Sequence, residues 1–291
     1  MKQFLKYAKR LFLIVKTNIF YIIWFFIYFN YSLTFSFPFF RENTLLFCAI
    51  IYAISLTVAL GAGDIIFRLL EGARPLETKR EKEYLTPIFE EVYQNAKEIY
   101  SDLPKIKLYI VDSLTVNAVA IGNHTIAVTQ GAMETLTADE LSGVIAHEIS
   151  HVYYGDTKAV IVNTIGNGIF TILSVIVKLI VRGMEFIAMT LESHILQAVF
   201  NFIRLILEIW LFCMLWLGSF ILSFNSRGNE FKADKFAYEV GYGEQLTQAL
   251  YIIQKMSLGQ QMKIVAKMQS SHPRTSKRIG RLEDLTDRDF E

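Results

Sequence analysis

The chain has little cysteine and almost no net charge, and each shortage excludes a class of protein. Its two cysteines, Cys48 and Cys213, both lie inside apolar runs. Two such thiols fit packed side chains better than a disulfide framework or a zinc site built from cysteines. The 29 basic and 28 acidic residues leave a net charge of +1. Nothing in this balance indicates a nucleic-acid partner.

Apolar residues are what the chain has in excess. They make up 53% of the 291 residues, and the mean hydropathy is +0.34, which is too apolar for an ordinary soluble domain. Crossing a bilayer takes about 20 apolar residues. Stretches of that length cover about 11–31, 45–65, 159–181 and 203–224. The sequence therefore predicts four transmembrane helices, the first of them an uncleaved anchor because no small-residue cleavage site follows it.

Basic residues mark one side of these predicted spans. Clusters of lysine and arginine precede the first span and follow the second and the fourth, whereas Arg41 stands alone between the first two. Because cytoplasmic loops carry an excess of lysine and arginine, we expect both termini to be cytoplasmic. The expected location is an inner (plasma) membrane that the chain crosses several times, with the lipid bilayer as a partner.

The pentapeptide His147-Glu148-Ile149-Ser150-His151 carries the chemistry. A capping box, Thr137-Ala-Asp-Glu140, precedes apolar residues at helical spacing and predicts the helix that contains it. Residues four apart share one helix face, so both imidazoles can bind one Zn²⁺ with Glu148 beside a metal-bound water. This pattern indicates a zinc peptidase with Glu148 as general base. Histidines that merely pack on a helix are the alternative interpretation.

A small sheet is predicted directly before this helix. Residues 107–111, 116–121 and 125–129 have the composition of strands, and Gly122-Asn123 favours a hairpin turn between the last two. In zincins an exposed edge strand pairs with the extended substrate. The small residues Asn117, Ala118 and Ala120 suit that role, although an ordinary buried hairpin strand has the same pattern.

A catalytic zinc usually has three protein ligands and one open position, so one more ligand is needed. Tyr154 and Thr157 stand where a metzincin would have glycine and histidine. No carboxylate lies between Asp156 and Glu185, the interval in which a thermolysin-like enzyme would supply its glutamate. Both classes are therefore excluded.

Glu230 is the best candidate for the third ligand. Two predicted spans separate it from His151, and an even number of crossings returns the chain to the same side of the membrane. Asp234 is four residues further along the same predicted helix, where it can accept an N–H from a ligating imidazole. A solvated acidic helix face is the alternative for this pair. His272 could donate to the transition-state oxyanion, but a loop histidine without such a role has the same signature.

These polar segments define the predicted domain organisation. Residues 68–158 and 225–291 together are long enough for one domain with its own core. We expect a membrane hairpin at 159–224 to interrupt this domain and another, 1–67, to precede it. The predicted fold is an α-helical membrane protein with an α+β zincin-like peptidase domain, whose small sheet lies beside the HExxH helix.

At these motifs the chain closely resembles the HtpX-like family of membrane-integrated zinc endopeptidases. The resemblance runs through nearly the whole chain, with the segments 117–122, 126–131, 147–151, 226–234 and 272–279 in the same order. It implies one zinc per chain bound by His147, His151 and Glu230, Glu148 as general base, and an active site facing the cytoplasm. It also implies polypeptide substrates, namely misfolded or damaged membrane proteins that membrane quality control removes. Pro273-Arg274 departs from the pattern of many relatives.

Two other functions compete with this interpretation. A prenyl-protein endoprotease of the same clan would use similar ligands, but it would have more spans than the four predicted here. A non-catalytic membrane scaffold that keeps zinc for folding would normally close its site with four ligands, often cysteines. The predicted cytoplasmic segments contain no cysteine.

Overall fold

The computed structural model describes residues 43–122, 124–257 and 275–288, together with several positions between 19 and 30. Most of the predicted first span, and His272, lie outside the described residues. The helices are α1 (Thr44–Gly61), α2 (Gly63–Glu71), α3 (Lys79–Ile99), α4 (Gln130–Thr135), α5 (Ala138–Tyr154), α6 (Asp156–Thr190), α7 (His194–Glu239), α8 (Gly243–Ser257) and α9 (Thr275–Arg288). The strands are β1 (Ala73–Arg74), β2 (Lys107–Val111), β3 (Ala118–Ile121) and β4 (Thr125–Thr129).

The sheet is mixed and has β3 at one edge. Its strand order is β1-β2-β4-β3, with β2 parallel to β4 and the other pairs antiparallel. The predicted hairpin is confirmed, because β3 pairs with β4 in a register that places Ala118 opposite Val128. The parallel pairing and the short strand β1 were not predicted. Arg74 of β1 bonds to Asp112 and to Glu81 at the start of α3, and these ion pairs hold the far edge of the sheet against the helix layer.

Helix α5 begins and ends on strong local signals. Thr137 and Glu140 form the predicted capping box, with bonds of 3.3 Å and 2.8 Å between side chains and backbone N–H groups. Gly155 ends the helix in the left-handed conformation that glycine adopts at low cost. In between, most of the residues are buried, because α5 packs against α3, α7, α8 and strand β3. The HExxH helix is therefore the centre of the core.

Helices α6 and α7 extend well beyond that core. They contain 35 and 46 residues, or about 52 and 69 Å at 1.5 Å per residue, and pack against each other. Among the described residues, His194–Cys213 is long and apolar enough to cross a membrane, and Thr44–Val58 with Gly63–Glu71 would count as another crossing if the bent pair forms one span. The fold is thus mostly helical with a small mixed sheet, and the four-span count stays a prediction.

Candidate active site

Four helices, α5, α6, α7 and α9, bring the site residues together. Helix α5 carries His147, Glu148 and His151, and α7 continues without a break into Glu230 and Asp234. Packing of α5 against α7 places the carboxylates over the two imidazoles. His147 is 4% exposed and Glu230 2% exposed. These polar groups are buried because they contact one another rather than water.

The facing atoms of the triad converge on one point. The Nε2 atoms of His147 and His151 are 3.3 Å apart. The carboxylate of Glu230 lies 3.4 Å from His147 Nε2 and 3.7 Å from His151 Nε2. Ligands at about 2.0–2.1 Å from a tetrahedral zinc would be about 3.3–3.4 Å from one another. The two imidazoles and the carboxylate therefore have the chemistry and the mutual spacing that one zinc ion requires.

Two other carboxylates orient the imidazole rings. Asp234 Oδ1 is 3.0 Å from His147 Nδ1, and Asp156 Oδ2 is 3.0 Å from His151 Nδ1. A carboxylate at Nδ1 holds the proton on that nitrogen and leaves Nε2 as the ligating atom. Both rings thus present the same nitrogen to the centre of the site.

Arg278 of α9 is a site residue that the sequence analysis missed. Its guanidinium bonds to Asp234 at 2.6 Å and 2.9 Å and lies 3.1 Å from Glu230. It is buried on the helix face that also carries Leu282. In the sequence, Arg278 stands four residues before an apolar leucine on an amphipathic helix, which places both on the same helix face. A cation on the apolar face of a helix needs a buried partner, and this pattern could have indicated the contact.

The charge balance of the site favours a bound cation. Burial, followed by the nearby guanidinium, disfavours the charged form of His147, but its hydrogen bonds to Asp234 and Glu230 outweigh both and raise its pKa. Burial and the neighbouring His147 oppose the charged form of His151 as well, but its bond to Asp156 and the negative charges of Glu148 and Glu230 outweigh both and raise its pKa. The carboxylates thus draw positive charge onto the imidazoles. A divalent metal would supply that charge more completely.

Glu148 is hydrogen-bonded to the edge strand. Its Oε2 accepts a hydrogen bond of 2.7 Å from the backbone N–H of Ala120. The Asn117 C=O accepts a hydrogen bond from the Thr129 backbone N–H, and the Asn117 N–H donates to the Thr129 hydroxyl. Because antiparallel bonding alternates along a strand, Ala118 and Ala120 direct their N–H and C=O groups to the open edge. The structure therefore places Ala120 beside Glu148, whereas Ala118 is buried on the same strand and Asn117 is exposed just before it.

This arrangement defines the class of protein. A helix with two histidines and a glutamate, a glutamate on a following helix that faces both imidazoles, and a mixed sheet with an antiparallel edge strand beside the site form the arrangement of a zincin-type metallopeptidase centre. The particular family follows from comparison with known proteins.

Residues 79–286 match the model of peptidase family M48. A protease HtpX homolog of Methanocaldococcus jannaschii is 30% identical to this chain over 79% of this chain and 84% of its own length. Protease HtpX of Histophilus somni is 26% identical over 68% of this chain and 71% of its own length. The crystal structure of S. mikatae Ste24p superimposes with a TM-score of 0.54 at 20% identity, and it covers 97% of this chain and 65% of the Ste24p chain.

The chain belongs to peptidase family M48, and it is an HtpX-like, membrane-associated metalloendopeptidase. The family is zinc-dependent in general. The likeness to Ste24p, at this level of identity, concerns the fold.

Proposed function

We propose that His147, His151 and Glu230 bind one catalytic zinc and that the chain hydrolyses peptide bonds of membrane proteins at the cytoplasmic membrane surface. The observation that carries this proposal is the spacing of 3.3 Å between the two Nε2 atoms, with Glu230 against both. One zinc ion bound by these three side chains is sufficient for the proposed chemistry. Asp234 and Asp156 act through the imidazoles as positioning residues.

The chemistry is divided between the metal and Glu148. Bound zinc would polarise the scissile carbonyl and lower the pKa of a coordinated water to about 7. Glu148 takes the proton from the attacking water and delivers it to the leaving amine. The Ala120 N–H holds one carboxylate oxygen at 2.7 Å, so the base is oriented before the substrate arrives.

Strand β3 is the proposed substrate-binding element. The outward N–H and C=O groups of Ala118 and the C=O group of Ala120 can pair with an extended chain, while the Ala120 N–H holds Glu148. The methyl groups of both alanines are buried in the core. Asn117 is exposed at the beginning of the strand, where its side chain is free to contact the substrate backbone. A polypeptide bound in this way is recognised through its main-chain hydrogen bonds, which suits a protease that must accept many unfolded sequences.

Two features support membrane proteins as substrates. Helix α7 carries Glu230 only six residues beyond the end of the predicted fourth span, or about 9 Å along the helix. The exposed side chains of α6 and α7 are largely apolar, as expected for contact with lipid. We therefore propose quality control of misfolded or damaged membrane proteins in an inner membrane, with a cytoplasmic active site.

His272 is proposed to stabilise the oxyanion, and Arg278, six residues later, reaches the site.

The decisive test combines metal analysis with proteolysis on the purified full chain in lipid nanodiscs. Wild type loaded with Zn²⁺ should contain one zinc and cleave unfolded casein. Glu148→Gln should keep the zinc and lose cleavage, whereas Glu230→Ala should lose the zinc. Glu134→Gln, an exposed glutamate on α4, serves as the control for both measurements. A wild-type protein that keeps zinc but cleaves neither casein nor an unfolded membrane protein would favour the scaffold and contradict the proposal.

A further inference from the structure

Helix α2 is amphipathic and lies immediately after the apolar helix α1. The two helix axes differ in direction by 71° at the break around Ala62. On α2, Asp64 and Arg68 share one face, and Ile65, Ile66, Leu69 and Leu70 occupy the opposite one. A helix that turns this sharply after a membrane-length apolar helix can run along a membrane surface.

The apolar face of α2 contacts little of the described protein. Leu69 and Leu70 are 77% and 73% exposed, and Ile65 is 54% exposed. Helix α1 also exposes apolar side chains up to the end that adjoins α2, among them Ile54 and Leu60. Exposed lysines and arginines, namely Lys79, Arg80 and Lys82, follow in the next helix. An apolar helix face followed in the sequence by exposed cations is typical of helices that lie at the interface of an anionic membrane.

The polar face of α2 binds the substrate-strand hairpin. Asp64 Oδ2 accepts a hydrogen bond of 3.1 Å from the backbone N–H of His124, in the turn between β3 and β4. Arg68 bonds to the Tyr109 hydroxyl of β2, and its guanidinium lies 4.6 Å from the centre of that ring. The apolar face is thus turned away from the peptidase domain.

Gly122 makes this contact possible. A Cβ atom there would be 1.9 Å from Asp64 Oδ1, and its φ of +60° is one that other residues rarely adopt. The Gly122 carbonyl accepts a hydrogen bond from Thr157, in the first turn of α6. The turn at the end of β3 is therefore clamped between the first turns of α2 and α6.

We propose that α2 lies in the cytoplasmic headgroup–acyl boundary of the bilayer, through Ile65, Ile66, Leu69 and Leu70, and that Asp64 thereby couples membrane contact to the position of the edge strand β3. The occupant of the apolar face is lipid because that face is continuous with the surface of α1 and faces away from the domain. The membrane contact stands on the structure alone. Its consequence for substrate binding rests on the function proposed above.

The depth of α2 can be measured directly. Leu69→Cys in a Cys213→Ser background is labelled with the fluorophore NBD in nanodiscs of phosphatidylcholine and phosphatidylglycerol, since Cys48 is fully buried. Ile99→Cys, an exposed apolar position at the end of α3, is the matched control. We expect blue-shifted NBD emission and quenching by lipids that carry a shallow nitroxide at position 69, and water-like emission at position 99. Water-like emission at position 69, or a blue shift without quenching by lipid, would overturn the proposal.

The coupling is tested by hydrogen exchange, which does not depend on zinc or activity. Asp64→Ala removes the acceptor of the His124 amide, and exchange at His124 and in β3 should become about tenfold faster. Leu69→Ser combined with Leu70→Ser should accelerate exchange at the same amides in nanodiscs. Glu71→Ala, at an exposed acidic position on the same helix, should not. Unchanged exchange in the double serine variant would overturn the coupling, whatever the outcome of the casein assay.

Discussion

The backbone N–H of Ala120 donates a hydrogen bond of 2.7 Å to Glu148 Oε2. This bond joins the edge strand to the HExxH helix, so the proposed base and the proposed substrate strand have one fixed geometry. Because this bond fixes one carboxylate oxygen of Glu148, the side chain does not have to change its position before it accepts a proton.

Shortening this base should therefore impair catalysis without removing the metal. In Glu148→Asp the carboxylate is withdrawn by one methylene and cannot hold both the Ala120 N–H and the proposed water. We expect kcat/KM for casein to fall by about 10²–10⁴-fold while zinc content stays at the wild-type value. Glu134→Asp is the control at an exposed position. Wild-type activity in Glu148→Asp would show that the position of the carboxylate is not critical.

Arg278 should determine how tightly the site binds zinc. Its planar guanidinium contacts Asp234 with two bonds and also Glu230, which a lysine cannot reproduce. Because Arg278→Lys keeps the positive charge, any loss of zinc affinity reflects the changed geometry of these contacts. We expect zinc affinity, measured by competition with a chelator, to fall by about 10–100-fold. Arg281→Lys alters an exposed arginine on the same helix and should bind zinc as wild type does. Equal affinities in the two variants would contradict this role.

The ion pair between Arg74 and Glu81 should make stability depend on pH. The hydrogen bond from Arg74 lowers the pKa of Glu81 to about 2 in the folded protein, from an ordinary value of 4.5. The ion pair therefore stabilises the fold above pH 4.5, and this stabilisation is lost as the pH falls from 4.5 towards 2. Glu81→Gln should lower the free energy of unfolding by about 1.5–3 kcal/mol at pH 7.

Thermal unfolding at several pH values in detergent checks this prediction. The difference in melting temperature between wild type and Glu81→Gln should shrink below pH 4.5. Glu83→Gln, at an exposed position on the same helix, should leave the melting temperature unchanged. A difference that stays constant down to pH 2.5 would disprove the assignment to this ionisation.

Gly143 should tolerate no side chain, in contrast to Gly280. A Cβ atom on Gly143 would lie 2.2 Å from the backbone nitrogen of Leu246 on α8, whereas a Cβ atom on Gly280 has nothing within 4 Å. We expect Gly143→Ala to destabilise the protein by about 3 kcal/mol, and Gly280→Ala to stabilise it by about 0.5–1 kcal/mol because alanine favours helix. Calorimetry of both variants decides the matter. Equal melting temperatures would mean that α5 and α8 separate without cost.

Local signals in the sequence were sufficient for some elements. The capping box at Thr137 and Glu140 correctly predicted the start of the HExxH helix, because those bonds involve residues three apart. The hairpin around Gly122 was predicted for the same reason, since a turn and its flanking strands are neighbours in the chain. Helix α3 begins at Lys79 on a signal of the same kind, because Thr78 and Glu81 form a capping box.

Contacts between distant segments could not be predicted in the same way. Arg278 is 131 residues from His147, and nothing in helical spacing indicates that its guanidinium reaches the carboxylates of α7. Asp156 is only five residues from His151, but it belongs to the next helix, and its contact depends on the turn that Gly155 makes. The parallel pairing of β2 with β4 likewise joins strands that have another strand between them in the sequence.

The sequence by itself determined which chemical groups are available, namely two imidazoles and a glutamate at helical spacing and an even number of predicted spans before Glu230. Only the tertiary structure decided which atoms face one another. It turns the Nε2 atoms of His147 and His151 to within 3.3 Å and engages both Nδ1 atoms with carboxylates. The physical reason is that helix spacing is set by short-range backbone bonds, whereas burying several charges together requires partners supplied by separate helices.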